Sequence, residues 1–453
     1  MTRALVYGLA VAGAATVRAL QRRGIEVVVA DDEVTPARRD LAAELDVEII
    51  DRPDGHPLDR LVGGCDVVCP APGVPETHPV IAAATRSGVE LASEIELAYR
   101  WEQERPGGPR PMLAVTGTDG KTTTTLLAVA MLRETGLRTV DAGNTETPLV
   151  DAIELDLDAY VVEATSFRLA WTPTFRADAA AWLNLAPDHL NWHRSMATYE
   201  AAKAQVFANQ RPDDVAIGYR SDEVVMRRLR SAPARQVTFG TSDADYRVER
   251  GALRGPRGEI TDIAAMRRSL PHDLTNALAA SALVLETGLG EPEAIGRALA
   301  SFDGPPHRLQ LVGTWDDVAW YDDSKATTPH AASAAIGSFD HLVLIAGGYD
   351  KGVDLSAMAT DTDRIDAVIA MGDTAAQVAT AFGAVPTIEI VDDMAAAVAA
   401  ARRLAAPGST VLLSPGCASF DQYRGFEQRG DHFRQLVFDL HPRDPEEHPC
   451  QRP

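Results

Sequence analysis

The stretch Leu113–Thr125, LAVTGTDGKTTTT, constrains the fold of this chain more than any other. Leu113, Ala114 and Val115 read as a short buried strand, followed by a turn with glycines at 117 and 120 and a helix opening at Lys121 or Thr122. Glycines let such a turn bend tightly and bring its N–H groups close to an anion. The helix N-terminus adds unpaired N–H groups and the positive end of its dipole. A lysine there supplies a point charge for terminal phosphates, and the following threonine a hydroxyl for Mg²⁺. Position 115 is Val where the full phosphate-loop pattern has Gly, so this is a shortened form, T-G-T-D-G-K-T. The strand–loop–helix predicts an α/β architecture built around a nucleotide phosphate site.

At 453 residues the chain exceeds one hydrophobic core and predicts several domains. Its net charge of −22 makes it a poor ligand for nucleic acid or anionic membrane, so anionic substrates must be held by loops, helix ends, metals and single basic residues. Cys65, Cys69, Cys417 and Cys450 form no CxxC pair and have no zinc-like histidine partner, which predicts reduced thiols in a cytoplasmic protein. The first twenty residues superficially resemble a secretory signal. Arg18 within them and the strand-like run Glu26 to Ala30 after them argue instead for the start of a fold. No run of about 18 apolar residues exists, so no membrane span is expected.

Three α/β units follow from the order of patterns. The first, 1–105, opens with a strand at Leu5–Tyr7, a turn from Gly8 to Gly13, a helix to near Gly24, and a strand at Val27–Ala30. Ala10 replaces the middle glycine of G-x-G-x-x-G, which weakens the case for a dinucleotide there. A strand at Asp66–Cys69 leads into the rigid loop Pro70–Pro75, and a helix spans Glu94–Trp101. The second unit, 106–304, carries the phosphate loop, strands at Ala159–Glu163 and Ala179–Leu185, and helices at Tyr199–Ala208 and Asp273–Glu286. The third, 305–453, has strands near Val318–Tyr321, Leu342–Ala346, Ala367–Met371, Thr387–Val391 and Thr410–Leu413, which predict a second doubly wound sheet. The expected fold is thus an N-terminal Rossmann-like domain, a central P-loop ATPase domain and a C-terminal Rossmann-like domain.

Candidate chemistry sits at strand ends. Glu163 closes an apolar strand beside the phosphate loop, which favours a metal ligand over a solvated strand cap. His189 and His193 are four apart, but Pro187 and Asn191 argue against a regular helix. His189 reads as the functional one, His193 as structural or surface. Lys203, read from its residues alone, is a solvated helix lysine. His307-Arg308 reads as a hinge pair or as a reach toward a nucleotide, and Asp323-Ser324-Lys325 directly follows a strand.

With these loops placed, the chain resembles the Mur ligases, the ATP-dependent amino-acid ligases of peptidoglycan precursor synthesis. The markers are TGTDGKTT (116–123), GNTE (143–146), EATSFRL (163–169), NLAPDHLNWH (184–193), YEAAK (199–203), TNALAA (275–280), PHR (306–308), DDSKAT (322–327) and LLSPGCASFDQYRGFEQRG (412–430). Within the family, the resemblance implies the branch that joins D-glutamate to UDP-N-acetylmuramoyl-L-alanine. It implies Gly117, Thr118, Asp119, Gly120, Lys121, Thr122, Thr123, Asn276, Arg308 and Asp323 at ATP. Thr122, Glu163, His189 and a carbamylated Lys203 would serve two Mg²⁺ ions, the carbamate being formed from CO₂. Lys121, Glu163, His189, Lys203 and Lys325 would be the catalytic set. Asn144, Lys325, Thr327, Lys351, Ser419, Phe420 and Phe426 would contact the substrates. A cytoplasmic monomer acting on small molecules is expected.

This sequence departs from the family pattern at several points. Asp119 stands at a position usually Asn, which places it in the outer shell of Mg²⁺ or facing away from the phosphates. Asp32 and Glu33 lie on the uridine side, Val11 and Ala12 replace larger or hydroxylated residues, Ala71 replaces Ser, and Arg168 replaces the usual Gln. Alternatives are a superfamily ligase for another amino acid, L-glutamate included, or for a folate, and a nucleotide-binding regulator without ligase activity. The set Lys325, Thr327, Ser419 and Phe426 favours glutamate, and the intact lysines, Glu163 and His189 disfavour a regulator.

Overall fold

The computed structural model describes residues 1–441, so Cys450 lies outside the described residues. The chain forms two compact units, one from Met1 to Phe302 and one from Asp303 onward.

The first unit holds two sheets. The N-terminal one is five-stranded and all parallel, in the order Ile49–Asp51, Glu26–Asp31, Arg3–Tyr7, Val67–Pro70, Glu90–Leu91. Near-continuous burial of its central strands reflects helices on both faces, the reason ALVY and VVCP carry no polar alternation. The turn after the first strand is shorter than expected: the helix Val11–Arg22 begins before Gly13. The acidic run at the end of Glu26–Asp31 is also not left unpartnered. Asp31 accepts from Leu9 N (2.7 Å) and Arg38 Nη1 (2.7 Å), while Asp32 accepts from Tyr7 OH (2.6 Å) and pairs with His78 Nε2 (2.9 Å).

The second sheet has nine strands, with Met112–Thr116 between Ala159–Glu163 and Ala179–Trp182. All residues of these three strands are buried. The apolar run 179–185 ends as a strand at Trp182, because the next residues turn to meet the phosphate loop: Leu183 N donates to Thr116 O (2.9 Å) and Thr118 N to Asn184 O (3.2 Å). The charged region 213–263 contributes five strands, the last three joined by antiparallel pairings. The helix Pro271–Glu286 is apolar on most of its surface and packs against Lys121–Glu134, the helix that begins at the phosphate loop.

The second unit has a six-stranded sheet: Gln310–Trp315, Val318–Asp322, Thr410–Leu413, Leu342–Ala346, Ile365–Met371, Ile388–Val391. It is parallel except for its edge hairpin Gln310–Trp315/Val318–Asp322, whose first strand the sequence pattern did not reveal. Among the described residues no helix is long and apolar enough to cross a membrane.

Candidate active site

The phosphate loop owes its shape to two glycines at positive φ, Gly117 (+157°) and Gly120 (+83°). A Cβ at Gly120 would lie 2.6 Å from Asn276 Oδ1, so the loop also needs the missing side chain to reach the helix Pro271–Glu286. Gly120→Ala is expected to destabilise the first unit by about 1–3 kcal/mol and weaken ATP binding. Denaturant unfolding and nucleotide titration check this, and an unchanged midpoint would contradict it. Lys121 Nζ donates to the carbonyls of Gly117 (2.9 Å) and Thr118 (2.7 Å), and Thr124 Oγ1 to Asn276 Oδ1 (3.2 Å). Asn184, which carried no role in the sequence reading, accepts through Oδ1 from the N–H groups of both Thr118 and Asp119 (2.9 Å each). The Asp119 residue itself is exposed.

Under this loop the structure gathers Glu163, Lys203 and His189. Glu163 is 2% exposed, and its Oε1 accepts from Asn144 Nδ2 (2.8 Å). Its Oε2 is buried with no hydrogen-bond partner. A buried carboxylate oxygen left unsatisfied costs about 1–3 kcal/mol or more, which a bound cation would offset. Lys203 is not the solvated helix lysine its local sequence suggests. It is 1% exposed, donates to Gly117 O (2.6 Å) and lies 4.7 Å from the Tyr199 ring centroid. Burial, with the Lys121 charge nearby, pushes its ammonium well below the usual lysine range. His189 adopts positive φ (+54°), with Nε2 3.1 Å from Asp188 Oδ2 and its ring against Phe167. Burial and the charges of Lys121 and Lys203 lower its pKa against the pull of Asp188, which favours the neutral, ligating imidazole. His193 is buried, between Ser166 Oγ (2.9 Å) and Glu76 Oε2 (3.3 Å). It is therefore not at the surface.

Among the described residues no three His, Cys, Asp or Glu side chains form a metal cage. Mg²⁺ is usually held by one or two protein carboxylates together with substrate phosphates and water. The unpartnered Glu163 oxygen, His189 and the Thr122 hydroxyl are donors that fit that ion.

In the second unit, the loops at the sheet's carboxyl edge are pinned by Arg429. Its guanidinium donates to Ser324 Oγ (3.0 Å), Ser324 O (2.8 Å), Cys417 O (3.1 Å) and Ala418 O (3.2 Å), and burial lowers its pKa to about 10. This ties the 322–327 loop to 414–420. Lys325 Nζ lies 5.1 Å from the Phe426 ring centroid, Ser419 is buried, and Phe420 and Lys351 are exposed. Thr327 N donates to Lys325 O (2.9 Å). Arg308 sits between His307 and Leu309, both at positive φ, and Leu309 N donates to Asp323 Oδ1 (3.1 Å).

Asp323 also accepts from Ser414 Oγ (2.8 Å), but burial dominates and raises its pKa from 3.8 to about 7. The folded unit therefore binds a proton there that the unfolded chain has released. Its contribution to stability is fully present below pH 3.8, is lost as pH rises toward about 7, and is flat above that. Asp323→Asn should remove this slope, so that the melting temperature of the variant gains on that of the parent between those limits. Parallel melts across the range check it, and curves that run parallel would contradict it.

Family models match all three sheets: a Mur ligase MurD-like N-terminal domain over 2–93, a Mur ligase middle domain over 115–284 and a Mur ligase glutamate ligase domain over 307–417. The UDP-N-acetylmuramoylalanine–D-glutamate ligase of Frankia casuarinae is 40% identical, with 96% of this chain and 93% of that protein aligned. Its namesake in Thermobifida fusca is 37% identical over 96% and 98%. In fold the chain is like the crystal structure of UDP-N-acetylmuramate-alanine ligase from Thermotoga maritima, at TM-score 0.57, 18% identity and coverage of 97% and 100%. A shortened phosphate loop over a buried lysine and a half-satisfied carboxylate, matched along nearly the whole chain by these relatives, identifies the chain as a member of the Mur ligase family.

Proposed function

We propose that this chain is an ATP-dependent ligase that joins D-glutamate to UDP-N-acetylmuramoyl-L-alanine in peptidoglycan precursor synthesis, through an acyl phosphate. The observation that carries the reading is the buried Glu163 carboxylate, one oxygen unsatisfied, on the strand paired with the one that leads into the phosphate loop, while the buried Lys203 donates to that loop at Gly117 O. The assigned domains are 1–105 for the UDP-sugar, 106–304 for ATP and 305–453 for the amino acid. A carboxylate does not accept an amine at neutral pH, because oxide is a very poor leaving group. Attack of the substrate carboxylate oxygen on the γ-phosphorus of ATP, with ADP leaving, converts that oxygen into part of a phosphate. The amine of D-glutamate then attacks the acyl carbon, inorganic phosphate departs, and the amine loses its proton.

The residues have distinct parts in this. Residues 117–123 bind the phosphates, and Lys121 supplies their nearest positive charge. Asn276, Arg308 and Asp323 contact the nucleotide. Thr122, Glu163, His189 and Lys203 would hold two Mg²⁺ ions, whose charge would screen an anionic nucleophile from an anionic phosphate. Lys203 takes part as its carbamate: the buried amine adds to CO₂, forming the N–C bond and releasing a proton. This exchanges a positive group for a negative one. A lysine ammonium about 4 Å from a divalent ion repels it on a scale of about 8 kcal/mol at an effective dielectric of 20. Asn144 contacts the UDP-sugar substrate. Lys325, Thr327, Lys351, Ser419, Phe420 and Phe426 receive the amino acid. The enzyme acts in the cytoplasm as a monomer. Phosphate release that requires ATP, Mg²⁺, the UDP-sugar and the amino acid together tests the reading; release from ATP alone would overturn it.

A further inference from the structure

Arg168 lies in a chain of hydrogen bonds that starts at a buried ion pair, passes through the exposed Asn144 and ends at the half-satisfied Glu163 carboxylate. Its Nε donates to Glu94 Oε1 (3.0 Å) and its Nη1 to Asn144 Oδ1 (2.8 Å). Asn144 Nδ2 in turn donates to Glu163 Oε1 (2.8 Å). Arg168 and Glu94 are 6% and 4% exposed, so the ion pair is shielded from water. Glu94 is also fixed from its other side, since Oε2 accepts from Val150 N (3.3 Å).

The logic of the chain is directional. A guanidinium has donors only, so Asn144 must turn its carbonyl oxygen toward Arg168. Its amide nitrogen then faces Glu163 and engages Oε1. The backbone agrees, because Asn144 N donates to Glu163 O (3.0 Å) and holds the two residues side by side. Oε2 is the oxygen left without a partner. A glutamine at 168 carries both a donor and an acceptor and would permit either orientation of the Asn144 amide; arginine permits one.

We propose that Arg168 is a positioning residue that acts through Asn144 to fix the Glu163 carboxylate with Oε2 left unpartnered for a metal ion. The proposal rests on the reading of Glu163 as a Mg²⁺ ligand. Partners that orient a metal-binding side chain are commonly worth 10–100-fold in metal affinity. Arg168 is not a catalytic residue, since it touches neither phosphate loop nor metal donor directly.

The test is a double-mutant cycle read by Mn²⁺ binding to the full-length enzyme with a non-hydrolysable ATP analogue, followed by electron paramagnetic resonance. Arg168→Met should weaken Mn²⁺ binding about tenfold. Asn144→Ala should do the same, and the double variant should be no worse than either single one. Because Arg168→Met leaves Glu94 buried without its counter-ion, the same measurement is made on Glu94→Gln/Arg168→Met, where both partners are neutral. Wild-type Mn²⁺ affinity in the folded Arg168 variants, or additive losses in the cycle, would overturn the proposal. Wild-type Mn²⁺ affinity in Glu163→Gln would overturn instead the assignment of Glu163 as a ligand, and the proposal with it.

Discussion

Lys203→Arg is expected to lower ligase activity by about a thousandfold or more, the scale of removing a preorganised charged group from a water-excluded site. Arginine keeps the positive charge and length but cannot add CO₂ at neutral pH, because its guanidinium does not lose its proton. The parent lysine is suited to that addition by its surroundings. It is buried under the phosphate loop, donates to Gly117 O (2.6 Å), and has its ammonium disfavoured by burial and by Lys121. A neutral amine is the form that attacks CO₂. Protein equilibrated with ¹³C-bicarbonate should show one carbamate carbon signal that Lys203→Arg lacks. An arginine variant retaining a tenth or more of the activity would show that no carbamate is needed.

Glu163→Gln should separate activity from stability. The parent carboxylate is buried with Oε2 unsatisfied, a destabilising arrangement in the absence of a cation. Glutamine is isosteric, can still accept from Asn144 Nδ2, and removes the buried negative charge. Thermal unfolding without metal should therefore rise by about 2 °C, the shift expected for about 1 kcal/mol in a unit of this size. Turnover should fall about 10²–10³-fold if the proposed Mg²⁺ donor is lost. Added Mg²⁺ with ATP should stabilise the parent more than the variant. A variant that is both less stable and fully active would contradict the assigned role.

Much of this site was legible because its signals are local. The strand AYVVE is apolar up to its last residue, so a carboxylate at its end stood out, and the structure buries all five positions. The turn TGTDGKT needs its glycines, and both lie at positive φ. Burial of Lys203 was not legible from its neighbours. It sits on the helix Met196–Ala208, on the buried face with Tyr199, Ala202, Val206 and Phe207, where a lysine is unexpected, and its partner Gly117 O lies 86 residues earlier. The contact of Arg168 with Glu94 likewise spans 74 residues, which no short pattern encodes. The edge strand Gln310–Trp315 escaped because it alternates weakly and contains Gly313. A signal did exist: Asp316-Asp317, with φ of +53° and +61°, is a tight hairpin turn of the kind aspartates tolerate.

The central claim is tested most directly by phosphate release from ATP with Mg²⁺ and UDP-N-acetylmuramoyl-L-alanine, offering D-glutamate, L-glutamate and meso-diaminopimelate in parallel. The account predicts release with D-glutamate alone, with a product heavier by one glutamate residue. Release with L-glutamate or diaminopimelate, or with none of the three, would contradict it.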